Sequence, residues 1–177
     1  LKRLPLIALT TLFTVLLSAC GFHLNVKNAL PKIYNKLYLT SVEPYSYFTK
    51  SLTQTLSSQQ ITIVNSATQA PLTLNILNEN LNYTQTSVGS SQQTRQYQIN
   101  YTVTIQVQSP KGQVMAGPFN LTQSMTQTMF ANQLLENTQQ LAEDKRQLER
   151  KMINQIFYHL AARDTIKSIN TYLAKKR

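Results

Sequence analysis

From Gln96 to Gln108 the chain alternates without a break: Tyr97, Ile99, Tyr101, Val103, Ile105 and Val107 are separated by Gln98, Asn100, Thr102, Thr104 and Gln106. Side chains of an extended strand point to opposite sides in turn, so a strict period of two describes a strand with one buried face and one wet face. The turn signal Pro110-Lys111-Gly112 follows. Phe119, Leu121, Met125 and Met129 then share one parity against Asn120, Thr122, Ser124, Thr126 and Thr128. Two long alternating strands around such a turn form a hairpin. Upstream, Leu72, Leu74 and Ile76 alternate with Thr73 and Asn75, and the apolar parity then moves to Leu81 and Tyr83. A shift of parity inside a strand predicts a bulge near Leu77 or Asn78. The polar, Gly-containing stretch Gln85 to Thr94 reads as an exposed loop, so three successive strands form an antiparallel meander.

Before the meander, Lys36 to Val42 is rich in strand formers and closed by Glu43-Pro44. Ser46 caps a helix over Tyr47 to Gln60, in which Phe48, Leu52 and Leu56 recur every four positions. Ile61 to Val64 is only a short apolar run. After the meander the spacing becomes three, four or seven, through Leu134, Leu135, Leu141, Leu148, Met152, Ile156 and Leu160. This predicts a long helix over Gln133 to Arg163, capped by Asn132 and carrying Lys145–Glu149 and Glu143–Arg146 as surface pairs. The expected fold is α+β: a mixed, mainly antiparallel four-stranded sheet with two helices packed on one face. Residues 36–165 make one domain, and 166–177, ending Lys175-Lys176-Arg177, form a frayed basic tail.

The N-terminus carries a different message. Lys2 and Arg3 precede the apolar stretch Leu4 to Leu17, which is too short to span a bilayer comfortably and ends in Leu17-Ser18-Ala19-Cys20. A branched apolar residue, two small residues and a cysteine make the lipobox of bacterial lipoproteins. Small side chains admit the peptidase, and only the sulfur can carry a thioether-linked diacylglycerol. Residues 1–19 are therefore read as a cleaved signal peptide, Cys20 as the lipidation site bearing S-diacylglycerol and N-acyl chains, and 20–35 as a lipidated tether. Gly21 stands where aspartate would retain a lipoprotein in the inner membrane, which predicts outer-membrane anchoring on the periplasmic side.

Composition narrows the chemistry. Among 177 residues, Lys and Arg number 17 and Asp and Glu 7, yet only 14% are charged, while 19 Gln, 21 Thr, 14 Asn and 13 Ser supply the polar surface. Loss of Lys2 and Arg3 with the signal lowers the formal charge from +10 to +8. One cysteine excludes an internal disulfide and a cysteine-rich metal site. Four glycines leave no phosphate-binding loop, and no Gly-x-Ser-x-Gly elbow occurs. His23 and His159 lie far apart and make no metal centre. Asp164, His159 and Ser168 on one helix do not align a nucleophile with its base. The chain therefore reads as a non-enzyme without metal or cofactor beyond the acyl groups on Cys20. An exported chain meets no nucleic acid, and its tyrosines alternate in strands as core residues do. Anionic lipid is the remaining partner for the positive balance. Arg95, Lys111, Lys145 and Arg146 are the candidate contacts for lipopolysaccharide phosphates, with Arg150 and Lys151 nearby, against the alternative of solvated surface charges.

Cys20-Gly21-Phe22-His23-Leu24, the strand opening Thr94-Arg95-Gln96-Tyr97-Gln98-Ile99, and the order strand, helix, three-strand meander, long helix resemble the LPS-assembly lipoprotein LptE family. The resemblance implies a plug inside the outer-membrane β-barrel LptD that assists barrel assembly and contacts lipopolysaccharide on its way to the outer leaflet. It also implies basic lipid contacts near the loop before Arg95 and at the start of the last helix. Here that helix opens Gln133-Leu134-Leu135-Glu136, without a lysine. The alternative is a general periplasmic scaffold lipoprotein without lipid specificity.

Overall fold

The computed structural model describes residues 30–89, 94–130 and 137–175, so Cys20, Asn132 and the expected opening of the long helix lie outside the described residues. The elements are β1 (Lys36–Ser41), α1 (Tyr47–Ser58), β2 (Thr62–Val64), β3 (Leu72–Val88), β4 (Thr94–Gln108), β5 (Val114–Phe130), α2 (Asn137–Ala161) and α3 (Arg163–Ala174). One sheet takes the order β2-β1-β3-β4-β5. β1 runs parallel to both β2 and β3, and the meander β3-β4-β5 is antiparallel.

Burial follows the alternation. Ile99, Tyr101, Val103, Ile105 and Val107 of β4 are fully buried on the inner face. Residues of α1 (Phe48, Leu52, Leu56), of α2 (Leu148, Met152, Ile153, Ile156, Phe157, Leu160) and of α3 (Ile169) complete one core with them. Phe48 meets Tyr101 edge to face, with centroids 5.7 Å apart. Tyr34 donates its hydroxyl to the Leu160 carbonyl at 3.0 Å, fastening the entry to the domain beneath α2.

The expected local signals recur in the structure. Ser46 Oγ accepts from the Thr49 amide at 3.0 Å, capping α1. The β3–β4 register jumps between Ile76 and Asn78, leaving Leu77 unmatched. The β4–β5 turn closes with the Ser109 amide on the Gln113 carbonyl at 2.8 Å, and Gly112 at φ +81° supplies the left-handed residue there.

Four features depart from the sequence expectation. The sheet has five strands, because Thr62–Val64 pairs with β1; three residues are too few to display a period. Among the described residues there are three α-helices, not two. α2 ends at Ala161, Ala162 turns extended at ψ 139°, and α3 begins at Arg163. The supposed tail is therefore largely helix, with Ile169 buried against the core. The supposed loop over Gln85 to Thr94 is strand at both ends, since β3 continues to Val88 and β4 begins at Thr94, while residues 90–93 lie outside the described residues.

If α3 is part of the core, Ile169→Ala should cost about 2–4 kcal/mol of stability, the usual result of truncating a buried aliphatic side chain. Urea unfolding checks this, and an unchanged midpoint would return α3 to the status of a frayed tail.

Candidate functional site

The meander strands run to 17 residues, roughly 50 Å at about 3.3 Å per residue. Helices cover only part of that length. From Asn82 to Val88 every residue of β3 is exposed, as are Arg95, Gln96 and Gln98 of β4. Arg95 stands at this distal end, paired in register with Val88 and Met129. Lys111 is exposed in the turn beyond the other end of β4. The stretch of strand from Arg95 to Gln108 puts the two cations roughly 40 Å apart or more. The structure does not bring them together.

Lys145 and Arg146 sit side by side on α2, but carboxylates accompany them. Lys145 Nζ lies 3.7 Å from Glu149, and Arg146 lies 3.6 Å from Glu143, which Arg150 also engages at 3.0 Å. The Arg146 guanidinium also approaches the Tyr47 ring, 6.0 Å from its centroid. These pairings lower the positive potential that α2 offers an anion. Lys111 gains company that the sequence reading missed. With Gln113, just before β5, and Tyr172 of α3 it lines a cavity of about 420 Å³ that also takes in Lys175. Tyr172 donates to the Gln113 side-chain carbonyl. No local signal links the turn to the C-terminus, because α3 itself was read as tail.

The outer face of the meander is a ladder of hydroxyls and amides. Thr102 meets Thr122 at 3.1 Å, Thr104 donates to Asn120 at 2.7 Å, and Ser124 donates to Asn100 at 2.7 Å. Its donors and acceptors are partly satisfied from strand to strand, and none of these groups is ionised.

The inner face holds the unusual electrostatics. Glu149, expected on the surface of α2, is instead 1% exposed, and neither carboxylate oxygen has a hydrogen-bond partner among the described residues. The Lys145 ammonium is too distant for a hydrogen bond. Burial raises the Glu149 pKa, Lys145 partly opposes the rise, and Glu79 adds to it. The Tyr101 hydroxyl, also buried, is pushed far above the phenolic range, by burial first and then by Glu79, Glu149 and Glu43. Both groups thus hold their protons more firmly than in water, and the described residues contain no cluster of three metal-ligating side chains. No described helix is long and apolar enough to cross a membrane.

The arrangement of sheet, helices and long meander defines a class of bacterial lipoprotein folds. A minor lipoprotein from Acinetobacter baumannii superposes with a TM-score of 0.59 at 17% identity, covering 74% of this chain and 93% of that one. An uncharacterized lipoprotein B from Nitrosomonas europaea gives 0.65 at 15% identity, covering 76% and 86%. At the level of sequence, the chain is 28% identical over 154 residues to the LPS-assembly lipoprotein LptE of Photorhabdus laumondii, 87% of this chain and 79% of the relative. The LPS-assembly lipoprotein LptE of Pectobacterium atrosepticum is 27% identical over 161 residues, 90% and 82%. Residues 34–160 match the family described as LptE, lipopolysaccharide-assembly, and the chain belongs to that family. It is accordingly a non-enzymatic lipopolysaccharide-assembly lipoprotein of the Gram-negative envelope.

Because the native state holds Glu149 at a raised pKa, it retains a proton that the unfolded chain releases at lower pH. That contribution to stability is present below the unfolded carboxylate pKa, about 4.3, and declines as pH rises through the folded value. Glu149→Gln should therefore raise the melting temperature at neutral pH, with the gain shrinking toward pH 4. A difference that stays constant across pH would show that Glu149 ionises there without penalty.

Proposed function

We propose that this lipoprotein is anchored in the outer membrane through acyl chains on Cys20, plugs the LptD β-barrel from the periplasmic side, aids its assembly, and binds lipopolysaccharide for insertion into the outer leaflet. Family membership supports the general role, and one structural observation carries the plug: the outer face of the meander is long and uncharged, with side chains hydrogen-bonded to one another. A barrel lumen is polar and water-filled. A plug must give up water over a large area, and hydroxyls or amides that keep their partners lose little on doing so, whereas ionised groups lose several kcal/mol each.

Among the candidate lipid contacts, Arg95 and Lys111 have no carboxylate within ion-pairing distance among the described residues, whereas Lys145 and Arg146 do. Phosphate binding by the first two displaces water alone; at the second two it must also compete with Glu149 and Glu143. Lys111, with Lys175 across the cavity, is the better placed to share a phosphate.

Detergent pull-down of the tagged protein from outer membranes, washed in high salt, should retain a large β-barrel in stoichiometric amount. Recovery of the lipoprotein without it would favour the general scaffold. Photo-crosslinking to lipopolysaccharide should fall severalfold in Lys111→Asp and Arg95→Asp, and less in Lys145→Asp. Equal loss in all four single variants, including Arg146→Asp, would mean that bulk charge rather than a local contact holds the lipid.

A further inference from the structure

β5 is an outer edge of the sheet, and its 17 residues include no Lys, Arg, Asp or Glu. The opposite edge, β2, is 3 residues long. Edge strands present a row of free backbone donors and acceptors, and proteins ordinarily blunt them by shortness, charge, proline or cover. Shortness blunts β2. On β5 the one such device among the described residues is Gly117-Pro118, near its start. Past it, Asn120, Thr122, Ser124, Thr126 and Thr128 are exposed on the outer face, and Gln123, Met125 and Gln127 are half-buried on the other. Among the described residues no backbone bond reaches the free side of this stretch.

We propose that Asn120–Thr128 pairs antiparallel with the same segment of a second copy of this chain, about a two-fold axis at Ser124, joining the two sheets into one. Charge and register both favour a second copy as the occupant. Each chain is strongly positive, so most contacts between copies are repulsive, yet along this strand no charge opposes another. With Ser124 on the axis, Thr122 lies opposite Thr126 and Asn120 opposite Thr128 on the outer face. Leu121 lies opposite Gln127 and Gln123 opposite Met125 on the helix side. Parity is preserved at every pair, as an isologous contact requires, and Thr–Thr pairs across strands are favourable. Ser124 is the midpoint of the stretch that Pro118 leaves uninterrupted. α2 follows the inner face, where Gln155 accepts from Gln123 at 2.7 Å, so it leaves the strand edge open. The wall of a closed barrel has no free strand edge to offer β5. Self-pairing is therefore a property of the chain outside any barrel, and it does not rest on the plug reading.

Sedimentation of the full-length lipoprotein in detergent, across micromolar concentrations, should show a reversible dimer. Thr122→Lys with Thr126→Lys places lysine opposite lysine twice and should weaken the dimer on the order of tenfold or more. Thr122→Glu with Thr126→Lys places glutamate opposite lysine and should restore it. Mild oxidation of Ser124→Cys should yield a disulfide-linked dimer, with the unsubstituted chain controlling for Cys20 and Thr104→Cys, on an interior strand, giving none. A monomer at every concentration overturns the proposal, as does a dimer indifferent to the lysine pair or a Thr104→Cys yield equal to that of Ser124→Cys. The crosslink decides the matter should the lysine variant fail to fold.

Discussion

Much of this structure depends on the register of β3. Side chains of a strand alternate, so a slip of one residue exchanges its two faces. Leu77, unmatched against β4, makes that exchange inside the strand. Above it, Leu72, Leu74 and Ile76 face the core; below it, Glu79 and Leu81 take the inner side in register with Val103 and Tyr101 of β4. Glu79 then accepts a hydrogen bond from Ser46 Oγ at 3.1 Å, and the same oxygen caps α1 through Thr49. Phe48, two residues into that helix, rests on the Tyr101 ring. Without the bulge the asparagines at 78, 80 and 82 would meet the helices, Glu79 would face solvent, and the cap would lose its second partner.

That chain of dependence was partly visible in the amino-acid order. Strict alternation in β4, the parity change in β3 and the serine before Phe48 each state a local rule, and each local rule recurs in the fold. Elements whose identity comes from tertiary contact were not visible. β2 is a strand only because β1 lies beside it, since three residues carry no period. α3 differs, for Ile166, Ile169 and Leu173 carry helical spacing diluted by Lys, Ser, Asn and Thr, and its only buried residues are Thr165 and Ile169. Glu149 followed the ordinary expectation for a carboxylate four residues from a lysine. On the helix wheel, however, it shares a side with Leu148, Met152 and Ile153, and packing on the sheet prevailed over the ion pair. For the candidate site, the sequence supplied the basic residues but not their separation, which follows from the length of β4.

The few carboxylates are also unevenly placed. Glu79, Asp144 and Glu149 lie at or near the interface of α2 with the sheet, and Glu143 holds Arg146 and Arg150. Negative charge is concentrated around one helix, so much of the positive charge of the helix richest in cations is offset there. Arg95 and the Lys111–Lys175 cavity retain theirs, at opposite ends of the meander. The distance between the ends exceeds an ordinary anionic headgroup, which could reach only one of them. Binding at both ends requires two ligands, or one that moves along the sheet.

Movement along the sheet, or enclosure of it, is what the outer face suits. A charged surface grips phosphates and water tightly, and each displacement costs the hydration it removes. The ladder of Thr102 with Thr122, Thr104 with Asn120 and Asn100 with Ser124 is held from within the sheet. It presents donors and acceptors whose first needs are already met, and so forms weak, replaceable contacts with whatever passes or surrounds it. Between Arg95 and the Lys111–Lys175 cavity, such a face places a surface without fixed charge.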